Sequence, residues 1–412
     1  MANSSEKVSI IGGSIAGLFA AISLKSKGFK ITIYEKSEGS LESRGAGIAT
    51  HKEIKKASKI LGKEPPKKIG VSSVGRQLID KNGTIAKEIK LNQQMTSWGL
   101  LYRFLKEAIP EKDYKTGYHL KNVVKNHGNS VKLAFENGEI IETDWAIGAD
   151  GMNSTLRPFV DKISNPIYSK YLAWRGLVKE TEIGEKNIEL LDNKMSFGIA
   201  PRGHWLGYFV AGPNDSISIG ERWYNWVWYR GENVDSLKSH LTGTNNFYYQ
   251  NGIPHHLIKN CNIAKMRNEA KSYLAPQIID LISETQTPFL QGIYDFASKK
   301  LVRNRIIIIG DAAFTARPHV GLGVYKASED AISLADALLP DKNRIDNLKN
   351  WEINRLKFGK AAYKWGKDLG SYISTLNNAS DKSEKELFFQ NEEVLITQNA
   401  SNQPNRYLKR YE

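Results

Sequence analysis

The sequence predicts an α/β protein: a doubly wound domain with a mostly parallel sheet, carrying an inserted antiparallel β-sheet and followed by a C-terminal helical region. Three observations carry this. The chain opens on a βαβ unit, in which the β-branched run Lys7 to Ile11 passes through Gly12 and Gly13 into a helical pattern reaching Lys27, then into a strand from Phe29 to Tyr34 closed by Glu35. Two distant apolar runs, Trp145 to Ala149 and Arg305 to Ile309, look like strands buried on both faces, and each ends in an Asp beside a Gly. Between them, from Ile167 to about Gln291, alternating and aromatic strands such as Trp205 to Ala211 and Trp223 to Tyr229 suggest an antiparallel sheet.

The remaining elements follow in order. Ile69 to Ile89 reads like part of the inserted sheet. From Gly323 to Leu339 the pattern is helical, with Ala327, Ala331, Leu334, Ala335 and Leu338 on one face, and Trp351 to Thr375 continues as a helix packed outside. The last stretch, Asn377 to Glu412, is polar and is expected to be a loose helix with fraying ends.

Length and composition agree with two interlocked domains: 412 residues with a 41% hydrophobic fraction are too many for one simple core and too apolar for disorder. The 58 Lys and Arg against 44 Asp and Glu give a formal charge of +14. That excess is diffuse, lysine-dominated and not interleaved with aromatics, so it favours a phosphate-bearing cofactor or an anionic substrate over nucleic acid. The single Cys261 excludes a disulfide framework and a thiolate zinc site, no metal is expected, and a reducing cytosol is the default compartment. Met1 to Lys7 does not resemble a signal peptide and no stretch approaches a membrane span of roughly 20 apolar residues, so a soluble cytoplasmic protein is expected.

Four pieces carry chemistry. The first is Gly12-Gly13-Ser14-Ile15-Ala16-Gly17, between a strand and a helix, with Ser14 where the dinucleotide fingerprint has its second glycine; Glu35 ends the unit where a carboxylate accepts ribose hydroxyls. The second is Gly148-Ala149-Asp150-Gly151, followed by Ser154 and Arg157. In the third, Gly310-Asp311-Ala312-Ala313 precedes Arg317-Pro318-His319-Val320-Gly321-Leu322-Gly323 and a helix; a carboxylate at the strand end suits a polyol chain, and free amides at a helix start suit an electron-rich group. The fourth, Arg44-Gly45-Ala46-Gly47-Ile48, is a flexible loop with one cation.

In this order and spacing the four pieces resemble the single-component FAD-dependent monooxygenases, the superfamily of para-hydroxybenzoate hydroxylase, across most of the chain from Val8 to Leu339. Three further stretches resemble the 2,6-dihydroxypyridine 3-hydroxylase branch: Tyr171-Leu172-Ala173-Trp174-Arg175-Gly176, Asn225-Trp226-Val227-Trp228-Tyr229-Arg230 and Phe314-Thr315-Ala316-Arg317-Pro318-His319. The sequence departs from the family at Phe314, where a His is common, at Arg317-Pro318, where two prolines are, and at Tyr325, where an Asn is.

The resemblance implies a Rossmann-like FAD-binding domain made of 1–68, 90–166 and 292–345, a substrate-binding domain made of 69–89 and 167–291, and a C-terminal helical region and polar tail over 346–412. It implies that the Gly12 to Gly17 turn, Ser14 included, faces the FAD pyrophosphate, that Glu35, followed by Lys36, holds the adenosine ribose, and that Arg44 and Arg103 approach the pyrophosphate and ribityl region. Val123 would lie by the adenine, Asp311 on the ribityl chain, and Gly321, Leu322, Gly323 and Val324 along the pyrimidine edge of the flavin. Asp150 belongs to a motif linked with FAD and the nicotinamide cofactor.

The implied reaction is hydroxylation of an electron-rich aromatic or N-heteroaromatic ring with NADPH or NADH and O2, through a C4a-hydroperoxyflavin. NAD(P)H would be a transient reductant, because the chain has one dinucleotide fingerprint only. His319 is the candidate catalytic group beside the flavin, or else a histidine that shapes its loop. Trp174, Arg175, His204, Tyr208 and Pro318 are candidate substrate contacts; Arg175 would anchor an anion or pair with a carboxylate inside its own domain. The alternatives are a flavin dehydrogenase or oxidase that never hydroxylates, a halogenase, whose flanking Gly and Ile-Pro the Trp226 and Trp228 pair lacks, and a flavin-binding interaction protein without turnover. A monomer or a homodimer fits the sequence equally.

Overall fold

A computed structural model describes residues 6–41, 47–49, 52–374, 383–400 and 404–411. The βαβ unit forms because the β-branched strand Lys7–Ile11 has apolar neighbours on both sides, Lys30–Tyr34 and Trp145–Gly148, both parallel to it, with Ile10 opposite Ile33 and Ile147. Ile306–Ile308 extends the sheet beyond Trp145–Gly148, the short strand Tyr114–Lys115 adds to the other edge, and Val302–Arg303 turns back antiparallel. The central strands Lys7–Ile11, Trp145–Gly148 and Ile306–Ile308 are buried on both faces, which is why they read as continuous apolar runs. On one side the helix Ile15–Ser26 packs against Gly323–Ala337; the three-stranded sheet Leu120–His127, Ser130–Phe135 and Ile140–Thr143 buries Val131, Leu133 and Phe135 in the same core.

A second sheet runs through Gly252–Ile253, Phe289–Ala297, Ile167–Lys179, Trp223–Gly231, Gly203–Val210, Lys194–Ala200, Val71–Ile79, Ile85–Ser97 and Gly47–Ala49. Its pairs are antiparallel except Lys194–Ala200 with Val71–Ile79. One face meets the helices Asn260–Tyr273 and Pro276–Glu284 in a core of its own. The sheet is wider than the expected segments 69–89 and 167–291: Ile85–Ser97 runs past residue 89, Phe289–Ala297 straddles the junction at 291/292, and Gly47–Ala49 joins from within 1–68. Hydrogen-bonded strands continue as long as they find a partner, whatever the composition of their ends.

The tail differs from the loose helix expected. After the long helix Arg344–Leu369, the short helices Glu384–Gln390 and Glu392–Gln398 are docked, with Phe389, Leu395 and Ile396 buried. A buried arginine from the second sheet explains this. Arg76 donates to the carbonyls of Ile396 (2.9 Å), Asn399 (2.5 Å) and Ala400 (2.9 Å) and to Gln93 Oε1, so the last helix carbonyls are satisfied inside the protein. No helix among the described residues is long and apolar enough to cross a membrane.

Candidate active site

A cavity of about 650 Å³ lies between the two sheets and divides into two chemically different halves. The first is built by strand ends of the parallel sheet. Gly12, Ser14, Ile15 and Ala16 line it at the start of the helix Ile15–Ser26, whose first turn holds no acidic residue and whose N-cap Ser14 makes no side-chain capping bond. Free amides and the positive helix end therefore face the cavity. Gly12 sits at φ +103°, and a Cβ there would lie 2.4 Å from the Ala149 carbonyl oxygen. Gly17 is not at the cavity: a Cβ there would lie 1.9 Å from the Gly12 carbonyl oxygen, so this glycine lets the helix close onto the strand. Gly13 also stays off the lining, its amide donating to Glu35 Oε2 at 2.8 Å.

Glu35 is buried beneath this turn, its other oxygen accepting from the Ser37 amide (2.9 Å), and it lines the cavity together with Lys36, Tyr118, His119 and Leu120. Asp150 accepts from the Thr155 (2.7 Å) and Leu156 (3.2 Å) amides, while burial raises its pKa. Ser154 caps the Arg157 amide, and the Arg157 guanidinium donates to the Ala312 and Met152 carbonyls and lies over the Phe296 ring, clamping one strand end to the next. Asp311 faces the cavity half-exposed and pairs with Lys326 Nζ at 2.5 Å, a buried lysine that also donates to the Phe314 carbonyl. Gly321, Gly323 and Val324 line the wall beyond, at the start of the helix Gly323–Ala337; Leu322 is turned into the core.

The second half comes from alternate residues of the second sheet: Arg175, Leu206, Tyr208, Asn225, Val227, Tyr229, Phe289 and Gln291, closed by Arg317, Pro318 and His319. The residues in between point the other way. Trp174, Trp205, Trp226 and Trp228 are at most 1% exposed and pack with Met266, Ile278 and Leu281 from the covering helices. Trp174, expected at the substrate, is therefore core, because the period of two that brings Arg175 to the cavity turns its neighbour away.

Every proton-transfer candidate here is held in its neutral form. His319 Nε2 lies 3.2 Å from the Gly366 carbonyl and so carries the hydrogen, leaving Nδ1 to accept from the Tyr171 hydroxyl (3.4 Å). Burial, with His204 and Arg317 nearby, pushes its pKa well below 6.5. With both ring nitrogens engaged, His319 fits the loop-shaping role rather than the proton acceptor expected. His204, expected at the substrate, does not line the cavity; its Nδ1 meets the Tyr372 hydroxyl at 2.6 Å and burial lowers its pKa to about 3. Burial raises Tyr208 and Tyr171, and Tyr229 to about 12; the Tyr208 hydroxyl donates to the Gly47 carbonyl at 2.9 Å. Arg317 forms a buried bidentate pair with Asp295 (2.7 and 2.6 Å) above the Tyr171 ring.

Two expected cofactor residues, Arg103 and Val123, lie elsewhere. The Arg103 guanidinium pairs with Asp215 and does not line the cavity, a partner over a hundred positions distant that no local pattern signals. Val123 is buried within the three-stranded sheet, opposite Leu133, and Tyr118 to Leu120 reach the cavity in its place, because the strand Leu120–His127 leaves the site as it begins. Arg44 lies outside the described residues. Trp98 and Ala400 line the cavity without having been expected. Ala400 comes from the tail, its amide donating to the His319 carbonyl at 2.6 Å, and only the buried Arg76 could have hinted at it.

Comparison with known proteins agrees with this architecture. Residues 168–295 match the family model described as FAD binding domain-like, and residues 10–40 match a NAD(P)-binding Rossmann-like domain. The chain is 28% identical over 378 residues to 2,6-dihydroxypyridine 3-monooxygenase of Paenarthrobacter nicotinovorans, covering 90% of this chain and 93% of that protein. It is 25% identical over 356 residues to 6-hydroxynicotinate 3-monooxygenase of Pseudomonas fluorescens, covering 81% and 83%. The solved structure of 2,6-dihydroxypyridine-3-hydroxylase from Arthrobacter nicotinovorans superposes with a TM-score of 0.84 at 26% identity over 93% of this chain and 96% of that one. HpxO of Klebsiella pneumoniae, solved with FAD and uric acid, shares the fold at a TM-score of 0.71 and 19% identity, over 98% and 95%.

Fold and site together define a flavoprotein monooxygenase, an oxidoreductase with FAD as cofactor and NAD(P)H and O2 as co-substrates. More narrowly, the chain is similar to the single-component FAD-dependent aromatic monooxygenases, the 2,6-dihydroxypyridine 3-hydroxylase branch among them.

Proposed function

We propose that the enzyme hydroxylates a planar hydroxylated aromatic or N-heteroaromatic ring, at a carbon ortho or para to a ring hydroxyl, in the half of the cavity lined by Val227, Tyr229, Phe289 and Pro318. The observation that carries this is the division of the cavity. Its carboxylates Glu35, Asp150 and Asp311 stand at one end, and flat apolar and aromatic side chains with the guanidiniums of Arg175 and of the Asp295-paired Arg317 stand at the other. The named relatives acting on dihydroxypyridine and hydroxynicotinate support a hydroxylated heterocycle.

The donor set of the first half fits FAD. The amides of Ser14 to Ala16 at an uncapped helix start suit a pyrophosphate, Glu35 a ribose, Asp311 the ribityl chain, and the turn from Gly321 to Val324 the pyrimidine edge of the flavin, with Asp150 nearby. When bound, FAD supplies the two-electron relay from NAD(P)H and the activation of oxygen. The chain's own residues orient the ring and keep water out, the walls being Leu206, Val227, Phe289 and the aromatic ring of Tyr229. The exposed, unpaired Cys261 agrees with a cytosolic enzyme, acting as a monomer or a homodimer.

The test is stopped-flow reduction of the purified holoprotein by NADPH and NADH with a panel of hydroxylated pyridines and phenols. Flavin bleaching that accelerates only with such a ring, followed by oxygen uptake and hydroxylated product, is the expected result. Acceleration by a nonaromatic compound alone would overturn the substrate class. Turnover that consumes no oxygen would make the protein a dehydrogenase.

A further inference from the structure

We infer that Arg76 is a positioning residue of the active site: acting through the backbone of the tail, it holds Ala400 in the cavity wall beside the turn from Pro318 to Gly323 and so closes the cavity to water there. The segment from Glu392 to Ala400 is thereby part of the reaction chamber. The inference rests on the FAD-dependent oxygenation and not on which ring is oxidised.

Arg76 lies on the strand Val71–Ile79, fully buried, with no carboxylate paired to it among the described residues. All five of its N–H donors are used. Nε (2.8 Å) and Nη2 (2.6 Å) donate to Gln93 Oε1, Nη1 to the carbonyls of Ile396 (2.9 Å) and Asn399 (2.5 Å), and Nη2 to that of Ala400 (2.9 Å). Gln93, on the strand Ile85–Ser97, adds its Nε2 to the same Ala400 carbonyl at 3.0 Å. Taking a guanidinium out of water is an unfavourable way to anchor a helix whose Leu395 and Ile396 are already in the core. What a rigid fork of donors adds to apolar packing is direction: it sets where three carbonyls lie, and hence the path of the chain as far as Ala400.

Ala400 is where that path meets the site. Its carbonyl is held by Arg76 and Gln93, its amide donates to the His319 carbonyl at 2.6 Å, and it lines the cavity with His319, Pro318 and Gly321. A Cβ on Gly321 would lie 3.0 Å from Ala400 Cα, so glycine at this position lets the tail lie against the turn. Ala400 itself sits at φ +48°. Of the seven described non-glycine residues at positive φ, five are Asn or Asp, which tolerate that region, whereas alanine has no side chain to support it. A conformation of this kind persists where the surroundings over-determine it, and here they do so from both sides, the second sheet and the turn.

With the tail seated, the wall at this point is backbone whose polar groups are already satisfied, so it offers water neither a partner nor a passage. Without Arg76, the carbonyls of Ile396, Asn399 and Ala400 lose their common donor and the Ala400 contact to the turn loses its support from the sheet. Water admitted beside the cofactor favours the side reaction, in which O2 takes two electrons from NAD(P)H and two protons and leaves as hydrogen peroxide while the organic substrate stays unoxidised.

The experiment compares the FAD-loaded wild type with Arg76→Met and Arg76→Lys. Three quantities are read: hydrogen–deuterium exchange of residues 392–400 by mass spectrometry, iodide quenching of flavin fluorescence, and hydrogen peroxide formed per NAD(P)H oxidised with a compound that accelerates flavin reduction. In Arg76→Met the segment should exchange at least ~tenfold faster while residues 7–34 exchange as in the wild type. Iodide access and peroxide yield should each rise at least ~threefold, with the rate of flavin reduction within ~twofold of the wild type. Arg76→Lys, which keeps the charge without the fork, should fall between the two. A second variant leaves the buried cation in place: Ala400→Pro removes the amide bonded to His319, forces φ to about −65°, and should raise iodide access and peroxide yield in the same way. Wild-type exchange of the segment in Arg76→Met would overturn the hold of Arg76 on the tail. Faster exchange with wild-type iodide access or peroxide yield, or a wild-type Ala400→Pro, would overturn the wall and leave a purely structural anchor. Failure of every hydroxylated ring to accelerate flavin reduction would strike the ring reading alone, because the exchange and iodide measurements need no ring.

Discussion

The dinucleotide half and the ring half of the cavity are built on opposite principles. The first uses backbone: a helix start, the Gly12 turn and carboxylates held by amides, as Glu35 is by Gly13 and Ser37. The second uses side chains that reach one another across the fold, such as Arg317 with Asp295 and His319 with Tyr171 and the Gly366 carbonyl. Backbone geometry is set within a few residues and tolerates change around it, so one cofactor is bound by many sequences. A cavity assembled from long-range side-chain pairs changes its lining with any of the distant residues that build it, and its energetics are tied to the stability of the whole protein.

That contrast is sharpest where a pair is broken. Asp295→Ala would strand the buried Arg317 guanidinium and is expected to cost about 3–5 kcal/mol of stability, read by urea unfolding. Most of that should return in the double variant with Arg317→Met. A loss below about 1 kcal/mol would mean that water reaches the pair and that the ring half is not the dry assembly described.

Acid should act on the ring half next. His204 and His319 have folded pKa values below the unfolded value of about 6.5, so the unfolded chain binds more protons as pH falls, and stability drops from near pH 6.5 downward. His204 should remove about 2 kcal/mol between pH 8 and pH 5, and His319 a share in the same direction. His204→Gln should flatten the profile by one such share. An unchanged profile would show the imidazole to be hydrated.

Glu35→Ala tests the other half. It should weaken FAD by roughly 1.5–3 kcal/mol, the worth of a hydrogen bond to a charged group, measured by equilibrium dialysis, while the ring half keeps its acid sensitivity. Wild-type FAD affinity would move the ribose elsewhere.

The smallest expected effect is the most discriminating. With both ring nitrogens of His319 engaged inside the protein, His319→Gln should lower kcat less than ~tenfold and leave its pH profile between 6 and 8 unchanged, whereas a positioned general base would cost 10²-fold or more.

The sequence by itself determined the parallel core, the turn from Gly12 to Ala16, and Glu35, Asp150 and Asp311 at the cavity, because each depends on a strand end and its adjoining turn. The pattern of alternation was also present around Trp174 and Arg175. Which of the two faces the cavity was decided by the helices Asn260–Tyr273 and Pro276–Glu284, which cover one side of the sheet. Tertiary structure alone drew Arg103 to Asp215, let the strand after Leu120 carry Val123 away from the site, and brought Ala400 to the His319 loop through Arg76. The reason is physical: periodicity and turn chemistry act over a handful of residues, whereas a buried charge takes whichever compensating group the folded chain places beside it, at any distance along the sequence.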